Sequence, residues 1–222
     1  MKKKIILIIV AITILYIISS IYMIFEGTPW GKLQARREIK EYLNTVYGEK
    51  MAIKKIFYII YPGTYGAECY VIENPEIKFV VLYDISEPNE LVDTYAGSKM
   101  SYDITKKINE LIKMDKTSIR AVLQNTSDLE LEHKYEIPDA FSFIDKLEVA
   151  IFVEFEYEYS ESDKEEETIF EIIYKLNELE EKLMYKAIYF DYENIEYVLK
   201  NSKIIEIKTP SDVTEHIIEI PK

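Results

Sequence analysis

One cysteine in 222 residues, Cys69, rules out an intramolecular disulfide, so the redox argument about compartment is silent. The two histidines, His133 and His216, stand in no metal-ligand spacing, and no Cys-x-x-Cys pair occurs. Six glycines leave little material for close backbone approach to phosphates, and no P-loop, dinucleotide fingerprint or Gly-x-Ser-x-Gly elbow is present. Positive charge is also short. The formal balance is -13, and setting aside Lys2, Lys3 and Lys4 leaves 24 basic against 40 acidic residues, a balance of -16, which repels nucleic-acid backbones. These shortages predict a non-enzymatic protein with no catalytic, cofactor-binding or metal residues, no cofactor and no nucleic-acid partner. Carboxylate-only catalysis stays open as an alternative, because its two acids need only meet in space.

Charge of either sign is absent from Ile5 to Phe25. About 21 residues at 1.5 Å each span roughly 31 Å, against ~30 Å of bilayer hydrocarbon. A cleaved signal peptide would need a shorter apolar run and a small-x-small pair after it. Here Ser19-Ser20 lies inside the run, and Ile21 to Phe25 are bulky. A lipoprotein signal would need a cysteine at the end of the run. Tyr16, Tyr22 and Trp30 are of the type that sits at headgroup level, and Gly27 with Pro29 ends the helix. The segment 5–25 thus reads as an uncleaved signal-anchor whose partner is the lipid bilayer, with 1–4 as a cytoplasmic basic tail and 26–31 as a juxtamembrane junction. Lys2, Lys3 and Lys4 are nearly balanced by Lys32, Arg36, Arg37 and Lys40. The extreme N-terminal position of the span favours a C-terminal part outside the cytoplasm.

Beyond the anchor the pattern alternates between helix and strand. Ala35, Ile39, Tyr42, Leu43 and Val46 form one face of a helix over 32–47, with Gly48 placed to end it. Strands are predicted over 52–61, 64–72 and 77–84, turned at Pro62-Gly63 and Asn74-Pro75 as antiparallel hairpins. A helix is predicted from Pro88 to Met114 with Leu91, Tyr95, Ile104, Ile108, Leu111 and Ile112 on its buried side, then a strand over 118–124 and a loop at 125–128. From Glu148 to Tyr159 the chain alternates, Val149, Ile151, Val153, Phe155, Tyr157 and Tyr159 against Glu154, Glu156 and Glu158. Ser162 and Glu165 have capping-box spacing, and Ile169, Ile172, Ile173, Leu176, Leu179 and Leu183 make the helix face that follows. Further strands are expected over 187–192, 196–199, 204–208 and 216–220. The expected fold is α+β: an N-terminal transmembrane helix followed by two small helix-plus-antiparallel-sheet domains, 32–115 and 116–222.

Three constellations invite a functional reading. The acids Glu154, Glu156, Glu158, Glu161, Asp163 and Glu165 to Glu167 could gather a cation, but no calcium-loop glycine turn accompanies them, and a solvated strand face leading into a dipole-matched helix explains them. Tyr185, Tyr189, Tyr192 and Tyr197 could form an aromatic platform for sugars or peptides, or pack as half-buried strand residues. Cys69 alternates with Tyr65, Ala67 and Val71 and reads as a small buried hydrophobe.

Gly27-Thr28-Pro29-Trp30-Gly31-Lys32, the charged helix ending in Glu41-Tyr42-Leu43, and Thr64-Tyr65-Gly66-Ala67-Glu68 on the second strand resemble the YfjL-like family. The resemblance continues through the strand from Val149 and the helix from Glu165. It implies a membrane-anchored protein of a Gram-positive bacterium and carries no activity or catalytic residue with it. The expected function is therefore a cell-envelope binding, sensing or inhibitory module with an envelope protein or peptide as partner. The alternatives are an envelope enzyme working through paired carboxylates and a cytoplasm-facing adaptor.

Overall fold

The computed structural model describes residues 2–83, 90–125, 136–137, 140, 148–160, 163–178, 184–200, 207–216 and 218–220. They form two compact units, Met1–Tyr95 and Ala96–Lys222.

The first unit opens with helix α1, Lys2–Glu26. Helix α2 follows over Pro29–Tyr47, and after a single 3-10 turn come β1 (Met51–Ile59), β2 (Thr64–Val71), β3 (Lys78–Tyr83) and β4 (Leu91–Asp93). The four strands form an antiparallel sheet in sequence order. The predicted turns hold: Gly63 takes the left-handed φ of +88° that a glycine supplies without steric cost, and its N–H donates to the Ile59 carbonyl at 3.0 Å. α2 packs on β1 and β2 and buries Ala35, Ile39, Leu43 and Tyr47, one residue per turn along a single stripe. Buried Ala67, Cys69, Val71, Phe79 and Val81 supply the opposing sheet face. Tyr47, Phe79 and Tyr95 close one end with edge-on rings 5.2 to 6.5 Å apart.

Where a helix was expected from Pro88, residues 91–93 instead pair with Tyr83, Leu82 and Val81 as β4. Asp93 makes the switch. Its Oδ1 accepts from the Tyr95 N–H at 2.8 Å, ending the strand and starting the next helix, while its Oδ2 accepts from the Tyr42 and Tyr47 hydroxyls at 2.5 and 2.7 Å.

The second unit contains α3 (Tyr95–Leu111), β5 (Thr117–Asn125), β6 (Glu148–Phe155), α4 (Asp163–Glu178), β7 (Met184–Asp191), β8 (Glu196–Lys200), α5 (Pro210–His216) and β9 (Ile218–Ile220). Its five strands lie in sequence order, but β6 and β7 run parallel, so the sheet is mixed rather than antiparallel throughout. The helix α4 between them makes this possible, since parallel neighbours need a crossover and cannot be joined by a tight turn. Met100, Ile104, Ile108 and Ile112 of the α3 segment share one core with Ile119, Ile151, Ile172 and Phe190. That packing assigns α3 to the second unit and moves the boundary to Tyr95–Ala96, ahead of the 115/116 division suggested by sequence.

α3 also seals a sheet edge. The backbone groups of β5 that face away from β6 are met by side chains spaced one turn apart on α3: Ser101 Oγ accepts from the Leu123 N–H at 3.1 Å, Thr105 Oγ1 accepts from the Ala121 N–H at 2.9 Å, and Asn109 Nδ2 donates to the Ile119 carbonyl at 2.9 Å. Four helical residues advance ~6 Å and two strand residues ~6.6 Å, so the two repeats stay in step over three contacts.

β6 ends at Phe155, leaving Glu156 and Glu158 beyond the strand. Ser162, Leu179, Leu183 and 204–206 lie outside the described residues, and Ile207 and Lys208 are not in a strand. The segment 210–216 is helix where the last strand was expected to begin. Asp212 accepts from the Lys208 and Thr209 N–H groups at 2.9 and 2.8 Å, and Pro210 suits a first turn, so a short helix forms before β9.

Candidate functional site

Two places in the chain combine unusual geometry with side-chain chemistry. The first is the joint between α1 and α2. Gly27 ends α1 with φ +70°, its N–H donating to the Met23 carbonyl at 3.0 Å. Thr28 caps α2 by accepting from the Gly31 N–H at 3.0 Å, and Pro29 begins the helix where its missing donor costs nothing. Into this turn comes Tyr65 from β2. Its hydroxyl accepts from the Thr28 N–H at 2.8 Å, and its ring occupies the space where a Cβ on Gly27 or Gly31 would stand. The Tyr58 ring lies 5.1 Å from that of Tyr65 and also presses on Gly27. Lys32 and Glu26 bridge the turn at 2.7 Å, an exposed pair in which the lysine holds the Glu26 carboxyl below the usual range. Both glycines of the Gly-Thr-Pro-Trp-Gly run are thus required by one tyrosine.

The second place is an open cleft of about 410 Å³ in the second unit, lined by Met114, Asp115, Lys116, Thr117, Tyr157, Lys164, Glu165 and Thr168. Lys116 adopts a left-handed φ of +57°, a conformation that costs a non-glycine residue about 1–2 kcal/mol. Its carbonyl accepts from the Glu156 N–H at 3.0 Å, which fixes the α3–β5 loop against the end of β6. Glu165 is only 7% exposed, although it stands in the first turn of α4. Its two oxygens accept from the Tyr157 hydroxyl and the Ser160 hydroxyl, both at a long 3.4 Å. Burial, and then the negative charge of Glu165, pushes the Tyr157 phenol up to about 12. Beneath the cleft Tyr157, Tyr159 and Phe155 surround Tyr192, with Phe155 and Tyr192 stacked at 4.2 Å.

Residues 2–84 match the family model of the YfjL-like N-terminal domain. Over that stretch the chain is similar to the YfjL-like N-terminal domain. The matched residues take in α1, α2 and β1 to β3, so the joint around Tyr65 lies inside the YfjL-like region and the cleft outside it. Among solved structures, a DUF5037 family protein from Ruminococcus gnavus is similar at 16% identity, with 82% of this chain and 81% of that chain covered and a TM-score of 0.38. No curated protein matches the chain.

The candidates raised from sequence are dispersed by the structure. Glu154 stays on an exposed strand face, 3.8 Å from Arg120, while Glu156 and Glu158 continue past the strand and Glu165 turns inward. Among the described residues no three His, Cys, Asp or Glu side chains gather as a metal group. Tyr192 and Tyr197 are buried in the core, whereas Tyr189 stacks on Phe152 at 4.7 Å on the other face of the sheet, so these three form no common platform. The side chain of Tyr185 lies outside the described residues, as do His133 and Glu161. Cys69 is buried as expected, and burial pushes its thiol up to about 12. Sequence reasoning placed Glu165 in a solvated acidic run. Its burial depends on Tyr157 and Ser160 folding back across the β6–α4 turn, a contact for which the local pattern carries no signal.

Proposed function

We propose that the YfjL-like chain is a single-pass membrane protein, anchored by α1, whose two α+β units face the extracytoplasmic side and serve as a binding, sensing or inhibitory module rather than an enzyme. One observation carries the anchoring: by length and composition α1 is long and apolar enough to cross a membrane, and from Ile9 onward its side chains are exposed except at Ser20 and Met23. A helix of that composition left uncovered by its own protein finds its solvent in lipid. The basic N-terminus supports the orientation. The cleft beside Glu165 supports binding. It brings two acids and two lysines around a half-buried tyrosine, a set suited to a small zwitterionic group of an envelope peptide.

Proteinase added to intact protoplasts tests the topology. It is expected to remove everything after Glu26, and protection until lysis would place the units inside. The enzymatic alternative has one observation in its favour, the presence of both Asp115 and Glu165 in one cleft. Under that reading Glu165→Gln abolishes turnover of envelope material, and under the binding reading there is no turnover to abolish.

A further inference from the structure

The β1–β2 hairpin is uncharged over its whole membrane-proximal half. From Ile56 to Ala67 there is no ionisable acid or base other than tyrosine, and the stretch is bounded by Lys55 and Glu68, which are register partners across the two strands. Lys54 bridges Glu68 at 3.5 Å, and Lys55 is near enough to Glu26 to lower its carboxyl further. These residues, with Lys32, form a belt of charge at the level of the joint. Beyond the belt, toward α1, the hairpin carries no charged side chain, and Thr64 is its one polar residue apart from the tyrosines.

The hairpin does not stop at the joint. Tyr58 and Tyr65 pack on Gly27 and Gly31, and the strands continue to Ile59 and Thr64 before turning through Ile60 and Tyr61. α1 touches β1, and the α1 side chains that lose exposure, Ser20 and Met23, lie on the same stripe as buried Gly27. Ser20 stands six residues before Glu26, about 9 Å down the helix. β1 runs one residue past Tyr58 to Ile59, and the turn of residues 60–63, closed by the Gly63 N–H on the Ile59 carbonyl, carries the hairpin further along the same side as Ser20 and Met23. At the end of this reach Ile60 is 56% exposed and Tyr61 is 92% exposed.

From this geometry we infer that the tip of the β1–β2 hairpin, Ile60 and Tyr61, is a second membrane contact, entering the headgroup and upper acyl layer of the bilayer beside α1. The inference rests on α1 being the anchor. If residues 5–25 fill the hydrocarbon, a hairpin that runs down the last two turns of α1 is carried below the headgroup surface with them. An isoleucine and a tyrosine suit that layer, one giving apolar area and the other a polar tip on an aromatic body.

The sole tryptophan, Trp30, makes the test direct. The full chain carrying Trp30→Phe and Tyr61→Trp is reconstituted in phosphatidylcholine vesicles with or without bromine on the upper acyl chain. A second chain carries Trp30→Phe and Ile72→Trp, the latter an exposed position at the opposite end of β2. Emission from the Tyr61→Trp chain is expected to fall about twofold or more in brominated vesicles and to be blue-shifted, with the Ile72→Trp chain unchanged. Flotation separates the two ways of failing. A chain that stays in the aqueous fraction refutes the anchor and the tip together. A chain that floats with no bromine quenching at position 61 refutes the tip alone, and if that position is also shielded from aqueous iodide, protein rather than lipid covers it.

Discussion

The seam between α3 and β5 allows a quantitative test of how the second unit closes its sheet. Thr105→Val keeps the side-chain shape and removes only Oγ1, so the Ala121 N–H, on a residue 1% exposed, loses its 2.9 Å acceptor. A buried donor without a partner costs about 1–3 kcal/mol, a sizeable part of the ~5–15 kcal/mol that stabilises a typical domain. Asn109→Leu does the same to the Ile119 carbonyl. Thr105→Ser, which restores the hydroxyl, is expected to recover most of the loss. The assay is urea unfolding of the full chain in nanodiscs, followed by far-ultraviolet circular dichroism, with amide hydrogen exchange read at Ala121. Exchange there should accelerate by about tenfold or more in Thr105→Val, since ~1.4 kcal/mol is a factor of ten. Unchanged exchange at Ala121 together with an unchanged midpoint would show that the α3 hydroxyl is incidental and that the edge is held by packing alone.

Three further outcomes are expected. Gly31→Ala forces a methyl into the Tyr65 ring and should destabilise the first unit by about 1–3 kcal/mol, with Tyr65→Ala in the same chain relieving the clash; an unaltered melting temperature for Gly31→Ala alone would refute the joint. Ile172→Asp places an unpaired charge in the α4 core face and should abolish the cooperative transition of the second unit, whereas exposed Glu167→Ala should be nearly silent. The Cys69 thiol, raised from 9.0 to about 12 by burial, stays protonated at neutral pH and contributes no pH dependence there; native stability is expected to fall only as pH rises above 9, where the unfolded chain ionises first, and maleimide labelling at pH 8 should occur in urea but not in the folded chain.

The sequence displayed those features whose cause is local. The α2 stripe, the turns at Pro62-Gly63 and Asn74-Pro75, and the alternation from Val149 to Phe155 depend on residues within a few positions of one another, and each was legible. Features decided by distant partners were not. Leu91, Val92 and Asp93 have no strand pattern of their own and become a strand because Val81 to Tyr83 offers an edge. The parallel pairing of β6 with β7 follows from α4 crossing over the sheet, which hydrophobic alternation does not encode. The tyrosines were ambiguous for the same reason: Tyr189 and Tyr192 look alike in sequence, and their place on opposite faces of one sheet separates surface from core. At the joint, the Gly-Thr-Pro-Trp-Gly run could be recognised as a junction, but that its glycines exist to admit Tyr65 required β2 to be in place.

That joint also has a mechanical consequence. A helix tied to its domain by a slack linker transmits nothing until the slack is gone. Here a pull or tilt applied to α1 is delivered at once to Tyr65, a residue of the interior strand β2, through a hydrogen bond at Thr28 and a ring wedged against two glycines. The load is shared with β1 and β3 as shear across their hydrogen bonds instead of peeling one strand from an edge. The first unit is therefore tied stiffly to α1, and any movement of that helix reappears as movement of the sheet.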